Sequence, residues 1–240
     1  MRLPLSDVPA FQRDPLSLFL DRAATADGGF APLHLGLSPI HLVTDPALAR
    51  DVLKWDASAV DKGRLVGKLR PIVGDSLLTN VGTAHRRSKE AIHRHLQRNA
   101  VAGNLEKMVA IINGHLSRIV AEGSHDTGEN AALALQLGCT ALFGHDVLNG
   151  ADRTALIEAV QVVEAELAAD MFRVVPAWPW AAAARKRRLD EARRIVDLVV
   201  KRARRSENCS ALLTALEEAG LSDEEINAEI LGLLIAGHHT

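Results

Sequence analysis

Two stretches of this chain carry side chains whose types and spacing could do chemistry. The first is Ala236-Gly237-His238-His239-Thr240, where an apolar run ends in two small residues followed by three polar ones. Small residues let another group approach a helix backbone. Polar side chains in an apolar setting are costly unless they have partners or a task. The bland alternative is a helix packed tightly on its neighbour, with Thr240 bonding back to its own carbonyl. The second stretch is His85-Arg86-Arg87-Ser88-Lys89, after Gly82. His85 and Lys89 are four apart, so on a helix they share a face and can grip one anion together. The alternative there is a solvated basic face. Cys139 and Cys209 form no CxxC pair, so neither a disulfide framework nor a zinc module is expected. Ten histidines invite a metal reading, but neither His93 with His95 nor His238 with His239 has a spacing that shares a helix face, and no HExxH occurs.

The elements that must position these residues read as mostly helical. Asp14-Pro15 and Asp45-Pro46 are caps followed by proline at the first helical position, so helices are expected from 15 towards Gly28-Gly29 and from 46 to about 54. Between them Leu33, Leu35 and Leu37, then Ile40 and Leu42, alternate with other residues around Ser38-Pro39, which predicts a β-hairpin over about 33–44. Residues 56–82 show no clear period and hold Gly63, Gly67, Pro71, Gly74 and Gly82, so a long loop is expected. Helices are expected near 84–98, 104–121, 129–143, 152–170, 180–205, 209–219 and 223–240. Asn104, Asn130 and Asp152 are candidate caps, and Gly123, Gly144 and Gly220 candidate stops. Ser222-Asp223-Glu224-Glu225 reads as a capping box. The last helix runs Ile230-Leu231-Gly232-Leu233-Leu234-Ile235-Ala236-Gly237 with no polar stripe, which marks a helix buried on all sides. A helix that stops inside its buried part predicts a truncated chain, with exposed apolar surface that drives self-association.

Composition narrows the class. The chain has 240 residues, 48% of them hydrophobic and 24% charged, which excludes disorder, collagen and coiled coil as its main organisation. Net charge is −2, which gives no general attraction to nucleic acid or to an acidic membrane. Aromatic residues make up 3% with no tyrosine, so the core must be aliphatic. No stretch reaches the ~18 apolar residues of a membrane span, and Met1 to Asp7 lacks the apolar run of a signal peptide. A single cytoplasmic domain over 1–240 is therefore expected. Residues 185–205 contain ten basic and three acidic residues, but Leu189, Ala192, Ile195, Val196, Val199 and Val200 form an apolar stripe beneath them. That reads as an amphipathic surface helix rather than a nucleic-acid-binding one. Met171 to Trp180, broken by Pro176 and Pro179, reads as a packed connector, or else a loop that touches an apolar substrate or a membrane surface.

Taken together and in order, these stretches resemble the cytochrome P-450 family of haem-thiolate monooxygenases. Asp14-Pro15-Leu16 is similar to the family's first helix, and Ile40 to Pro46 to its first strand pair and the helix that follows. Gly74-Asp75-Ser76-Leu77-Leu78-Thr79-Asn80-Val81-Gly82, followed by His85-Arg86-Arg87, resembles the loop into the family's third helix. Residues 208–240 resemble the approach to its long central helix, ending in Ala-Gly-x-x-Thr. The resemblance covers nearly the whole chain and corresponds to the N-terminal half of a soluble bacterial-type member, mainly α with a small β-hairpin, truncated within the central helix.

The resemblance implies an iron-haem cofactor, insertion of one oxygen atom of O2 into a small apolar substrate, and electrons from a ferredoxin- or flavin-type partner protein. His85 matches the family's propionate-binding histidine, and Lys89 stands where arginine is usual, keeping the charge but losing the bidentate fork. Ala236 and Gly237 would lie against the porphyrin, and Thr240 would be the threonine of the oxygen site. His239 replaces the usual acidic residue, which alters proton delivery. Leu77 and Leu78 are candidates for the haem edge. The family's Glu-x-x-Arg helix and its Phe-x-x-Gly-x-x-x-Cys loop are not in these 240 residues. Cys139 and Cys209 lack the glycine-rich surroundings of the axial ligand, so the chain alone is expected to be inactive, with a missing C-terminal half as a candidate partner. The alternative is a haem-free helical interaction module, a relic that binds a partner through its basic helix.

Overall fold

The computed structural model describes residues 3–36, 39–55, 61–97, 102–124, 126, 128–144, 148–171, 178–206 and 210–239, with His238 and His239 described by backbone alone. They fall into two compact units, one of residues up to 61 and one from 62 onward. The fold is mainly helical with a two-stranded antiparallel sheet.

In the first unit α1 (Val8–Arg13) and α2 (Pro15–Ala24) meet at Asp14, whose carboxylate accepts from the Ser17 N–H at 3.1 Å. Asp45 caps α3 (Pro46–Leu53) the same way, accepting from the Leu48 N–H at 2.7 Å. Both caps sit where the Asp-Pro pairs predict them. The hairpin starts earlier than its leucine alternation suggests. Strand β1 is Phe30–Leu33, paired with β2 (Ile40–Val43) from Phe30 opposite Val43 to Leu33 opposite Ile40. The ladder stops at His34 because Asp7 takes both of its backbone groups. The Asp7 carboxylate accepts from the His34 N–H at 2.9 Å, and the Asp7 N–H donates to the His34 carbonyl at 3.2 Å. Asp7 is itself buried and ion-paired to Arg22.

In the second unit the expected loop over 56–82 contains a helix, α4 (Gly63–Val73). Its glycines and Pro71 hide the period, but Ile72 and Val73 are buried in the core. Arg193 supplies the donors for the Pro71 and Ile72 carbonyls that close the helix. Then come α5 (Gly82–His95), α6 (Leu105–Glu122), α7 (Gly128–Phe143), α8 (Gly150–Met171), α9 (Pro179–Arg204), α10 (Ala211–Glu218) and α11 (Asp223–His239). Gly123 ends α6 in the left-handed conformation, as its place predicts. The caps differ in part. Asn104 makes no side-chain cap bond, and Asn130 lies inside α7. Asn149 rather than Asp152 caps α8: its amide oxygen accepts from the Asp152 N–H at 2.8 Å, and its NH2 donates to the Asp152 carboxylate at 2.9 Å. The capping box of α11 forms as read, with Ser222 N–H to Glu225 at 2.8 Å and Glu225 N–H to Ser222 Oγ at 3.2 Å.

The apolar stripe of α9 lies on α8, where Leu156, Val160 and Val163 are fully buried. Helix α11 is packed by α4, α7, α8, α9 and α10. Ile226, Ile230, Leu231 and Leu234 are at most 2% exposed, so the chain itself encloses the helix that was expected to lose its partners. Exposed apolar side chains lie elsewhere, among them Leu105, Val109, Leu116 and Val120 of α6. Leu213 of α10 is completely buried in the same core. Leu213→Ala is expected to cost about 2–5 kcal/mol, and Asn149→Ala about 1 kcal/mol. Urea unfolding followed by circular dichroism measures both, and equal costs would contradict the packing described.

Candidate functional site

The site is built where a turn over 74–80 is seated on α11. Gly74 has φ 82°, and a Cβ there would stand 2.8 Å from the Ala228 Cβ, so only glycine fits both the backbone and the gap. One helical turn further on, a Cβ on Gly232 would meet Leu78 Cδ1 and Ser76 Oγ at 3.4 Å each. Between these contacts Glu229, 1% exposed, accepts a hydrogen bond from the Leu77 N–H at 2.9 Å through Oε2. Ser76 Oγ, in the same contact, is buried without a hydrogen-bond partner. On its outer side the turn is held by cations. Lys62 Nζ donates to the carbonyls of Leu77 at 2.6 Å and Leu78 at 3.0 Å, and Arg70 donates to that of Thr79 at 2.9 Å. Thr79 Oγ1 ties the turn to itself, donating to the Gly74 carbonyl at 2.7 Å and accepting from the Ser76 N–H at 3.0 Å.

The charges around the turn are unevenly distributed. Burial pushes the Glu229 carboxyl pKa above its ordinary value; Ser88, the Leu77 N–H and the charge of Lys62 pull it back, while Glu225 pushes it further up. Burial lowers the Lys62 pKa against the pull of Glu229. His85, half-buried on α5, is held below the usual histidine range by burial and then by the positive charges of Lys62 and Lys89. A positive charge on His85 is thus opposed by Lys62 and Lys89, an electrostatic setting that favours a bound anion beside it. Beyond the turn, α11 runs on to Ala236, half-buried, and Gly237, exposed, where an added Cβ would meet nothing within 4 Å. The last helical turn thus opens onto space on the side of its smallest residue.

Comparison with known proteins places this geometry. Residues 8–240 match the family model for cytochrome P450. The chain belongs to the cytochrome P450 family. It is 28% identical over 232 residues to cyclooctatin synthase of Streptomyces melanosporofaciens, covering 90% of this chain and 50% of that protein. It is 25% identical to the chloroplastic protein LUTEIN DEFICIENT 5 of Arabidopsis thaliana, covering 89% of this chain and 41% of that one. Among solved structures it is similar in fold to CYP102L1, with TM-score 0.74 and 19% identity, covering all of this chain and 58% of that one. It is likewise similar to CYP175A1 of Thermus thermophilus, with TM-score 0.69 and 23% identity over the same shares. The chain spans about half the length of the curated relatives it matches.

Leu77 and Leu78 stand against the middle of α11, at Glu229 and Gly232, and His85 lies beside Lys62 and Lys89, all within the second unit. Thr240 and the side chain of His239 lie outside the described residues, as do Cys209 and residues 172–177 of the expected connector. Trp178 and Trp180, at its end, stack with centroids 5.2 Å apart and stay exposed. Glu229, Lys62 and Arg70 were not legible as site residues. The one available signal was an acid placed directly before the apolar run of α11. Much of the basic character of α9 is spent within the chain: Arg185 and Arg188 pair with Glu166, Arg202 with Asp152, Lys201 with Asp197, and Arg204 with Glu217 and Asp223. That use favours the surface-helix reading over a nucleic-acid one. No helix among the described residues is long and apolar enough to cross a membrane.

Two measurements check this site. The folded state binds the Glu229 proton more tightly than the unfolded chain does, so the stability from this group is full below the ordinary glutamate pKa. It is lost as pH rises through the folded value. Glu229→Gln is therefore expected to gain stability on the wild type between about pH 4 and about pH 8 in urea unfolding. The same difference at both pH values would contradict the assignment. Separately, Cys139 is buried and its thiol pKa is pushed up to about 12, chiefly by burial. In a Cys209→Ser background it is expected to resist a thiol reagent near pH 8 until urea unfolds the chain. Rapid labelling of the native protein would refute its burial.

Proposed function

We propose that this P450 chain forms the N-terminal part of a haem-dependent monooxygenase that inserts one oxygen atom of O2 into a small apolar molecule. The observation that carries the reading is the family match over residues 8–240, which runs through both compact units and supports treating them as one domain. The residues present fit the cofactor at two points. The cationic cluster of Lys62, His85 and Lys89 suits a carboxylate, and the open side of Gly237 suits a flat group laid against the helix. When bound, the haem iron supplies the redox chemistry that no side chain here can.

The chain's own residues bind, orient and move protons. His85 and Lys89 would hold a propionate, an anion that would offset the burial and the lysine charges that lower the His85 pKa. Ala236 and Gly237 leave the backbone of α11 approachable. Leu77 and Leu78 offer apolar surface at the edge of the site and exclude water from it. His239 would serve as the proton relay of the oxygen site: a neutral imidazole can accept at one ring nitrogen and donate from the other, and Thr240 would be the hydroxyl it serves. A separate ferredoxin- or flavin-type protein delivers electrons. Cys139 is buried with its thiol pKa pushed up to about 12, so it is not an axial thiolate, and on this reading the chain is inactive alone.

Haem titration of the purified chain tests the reading. Saturable binding is expected, weakened about tenfold or more in the His85→Ala, Lys89→Ala double variant. After reduction and exposure to carbon monoxide the Soret band should lack the red shift of a thiolate ligand. Absence of saturable binding would favour a haem-free module. A thiolate-type band would make a cysteine of this chain the ligand and overturn the inactivity.

A further inference from the structure

The turn over 74–80 meets α11 in a way that packing alone does not account for. Gly74 against Ala228, and Ser76 and Leu78 against Gly232, fix how closely the turn approaches the helix. Such contacts set a distance but resist sliding along the helix poorly. The carbonyls of Leu77 and Leu78 are met by Lys62 and that of Thr79 by Arg70, while Thr79 Oγ1 satisfies the Gly74 carbonyl and the Ser76 N–H. The Leu77 N–H is the group that the turn directs at α11, and Glu229 receives it. That acceptor comes at a cost. The carboxyl is 1% exposed and its burial raises its pKa, and Ser76 Oγ in the same interface is buried without a partner. An apolar residue of similar size would avoid the cost and fill the same space.

What the hydrogen bond fixes is the register of two leucines. Positions 229, 232, 233 and 236 recur at helical spacing, so they lie along one side of α11. Leu78 touches the Gly232 position, one turn before Ala236. We propose that Glu229 is a positioning residue: by holding the Leu77 N–H it sets where Leu77 and Leu78 stand along α11, and so the shape of the apolar space in front of Ala236 and Gly237. The step from register to the shape of a reaction space rests on the monooxygenase reading above. The step from Glu229 to register does not.

The experiment separates the two steps. Amide hydrogen exchange at residues 74–80 is followed in the chain without haem for wild type, Glu229→Gln and Glu229→Leu. Gln keeps an acceptor oxygen and the side-chain shape, so Leu77 should remain protected. Leu lacks the acceptor, so Leu77 should exchange about tenfold or more faster while α8 and α10 exchange as before. Unchanged protection in the Leu variant, or equal loss in Gln and Leu, overturns the proposal. The same three proteins are then loaded with haem and titrated with imidazole and 4-phenylimidazole, read by the shift of the Soret band. The preference between the small and the large probe should change about tenfold in the Leu variant and be restored in the Gln variant. The same preference in all three overturns the link to the reaction space. Failure of haem to bind at all refutes the monooxygenase reading and leaves the exchange result to decide the role of Glu229.

Discussion

Helix α11 has to be enclosed, and the second unit is organised around that requirement. From Ile226 to Ile235 its apolar side chains point in all directions, so no single layer can cover them. Five helices are needed, and the sequence supplies α4, α7, α8, α9 and α10. Close approach comes from small residues at the contacts. Gly74 meets Ala228, a Cβ on Gly138 would stand 3.5 Å from Leu234, and Gly232 admits Ser76 and Leu78. Each full removal of a leucine or isoleucine from water contributes about 1.5–3 kcal/mol, and this helix holds several such residues.

The charged residues work around that core. The long α9 turns an apolar stripe to α8 and keeps its cations near partners on other elements. Arg193 closes α4, and Arg204 reaches α10 and the start of α11. Half-exposed pairs of this kind contribute little individually. Their value lies in fixing which helix end meets which. The same residues that make the sequence look fit for nucleic acid are instead the ties between neighbouring helices.

The candidate site occupies the place where enclosure stops. The side chains of Leu234 and Ile235 are covered, whereas Ala236 is half-buried and Gly237 exposed. A buried carboxyl, two lysines, His85 and two leucines are gathered around the turn. Burial raises the acid and lowers the bases, so both kinds of group sit in strained protonation equilibria. A binding site for a large apolar cofactor with acidic arms requires such a combination: apolar walls, and a few cations held ready at one edge.

Much of this was legible without tertiary structure. Asp14-Pro15 and Asp45-Pro46 specify helix starts through local geometry, and the Ser222–Glu225 box does so through reciprocal hydrogen bonds. The apolar stripe of α9 and the all-round apolar run of α11 are properties of period alone, and the order of motifs was enough to resemble one family. What the sequence could not decide were interactions between residues far apart in the chain. Asp7 ends β1 by capturing His34, against the leucine alternation that favoured a longer strand. Helix α4 forms despite Gly63, Gly67 and Pro71, because burial of Ile72 and Val73 and the donors of Arg193 outweigh poor local propensity. Glu229 and Leu77 are 152 residues apart, and Lys62 reaches the same turn from before α4. No local period or motif couples such positions. Their pairing exists only once α11 is enclosed and the turn is pressed against it.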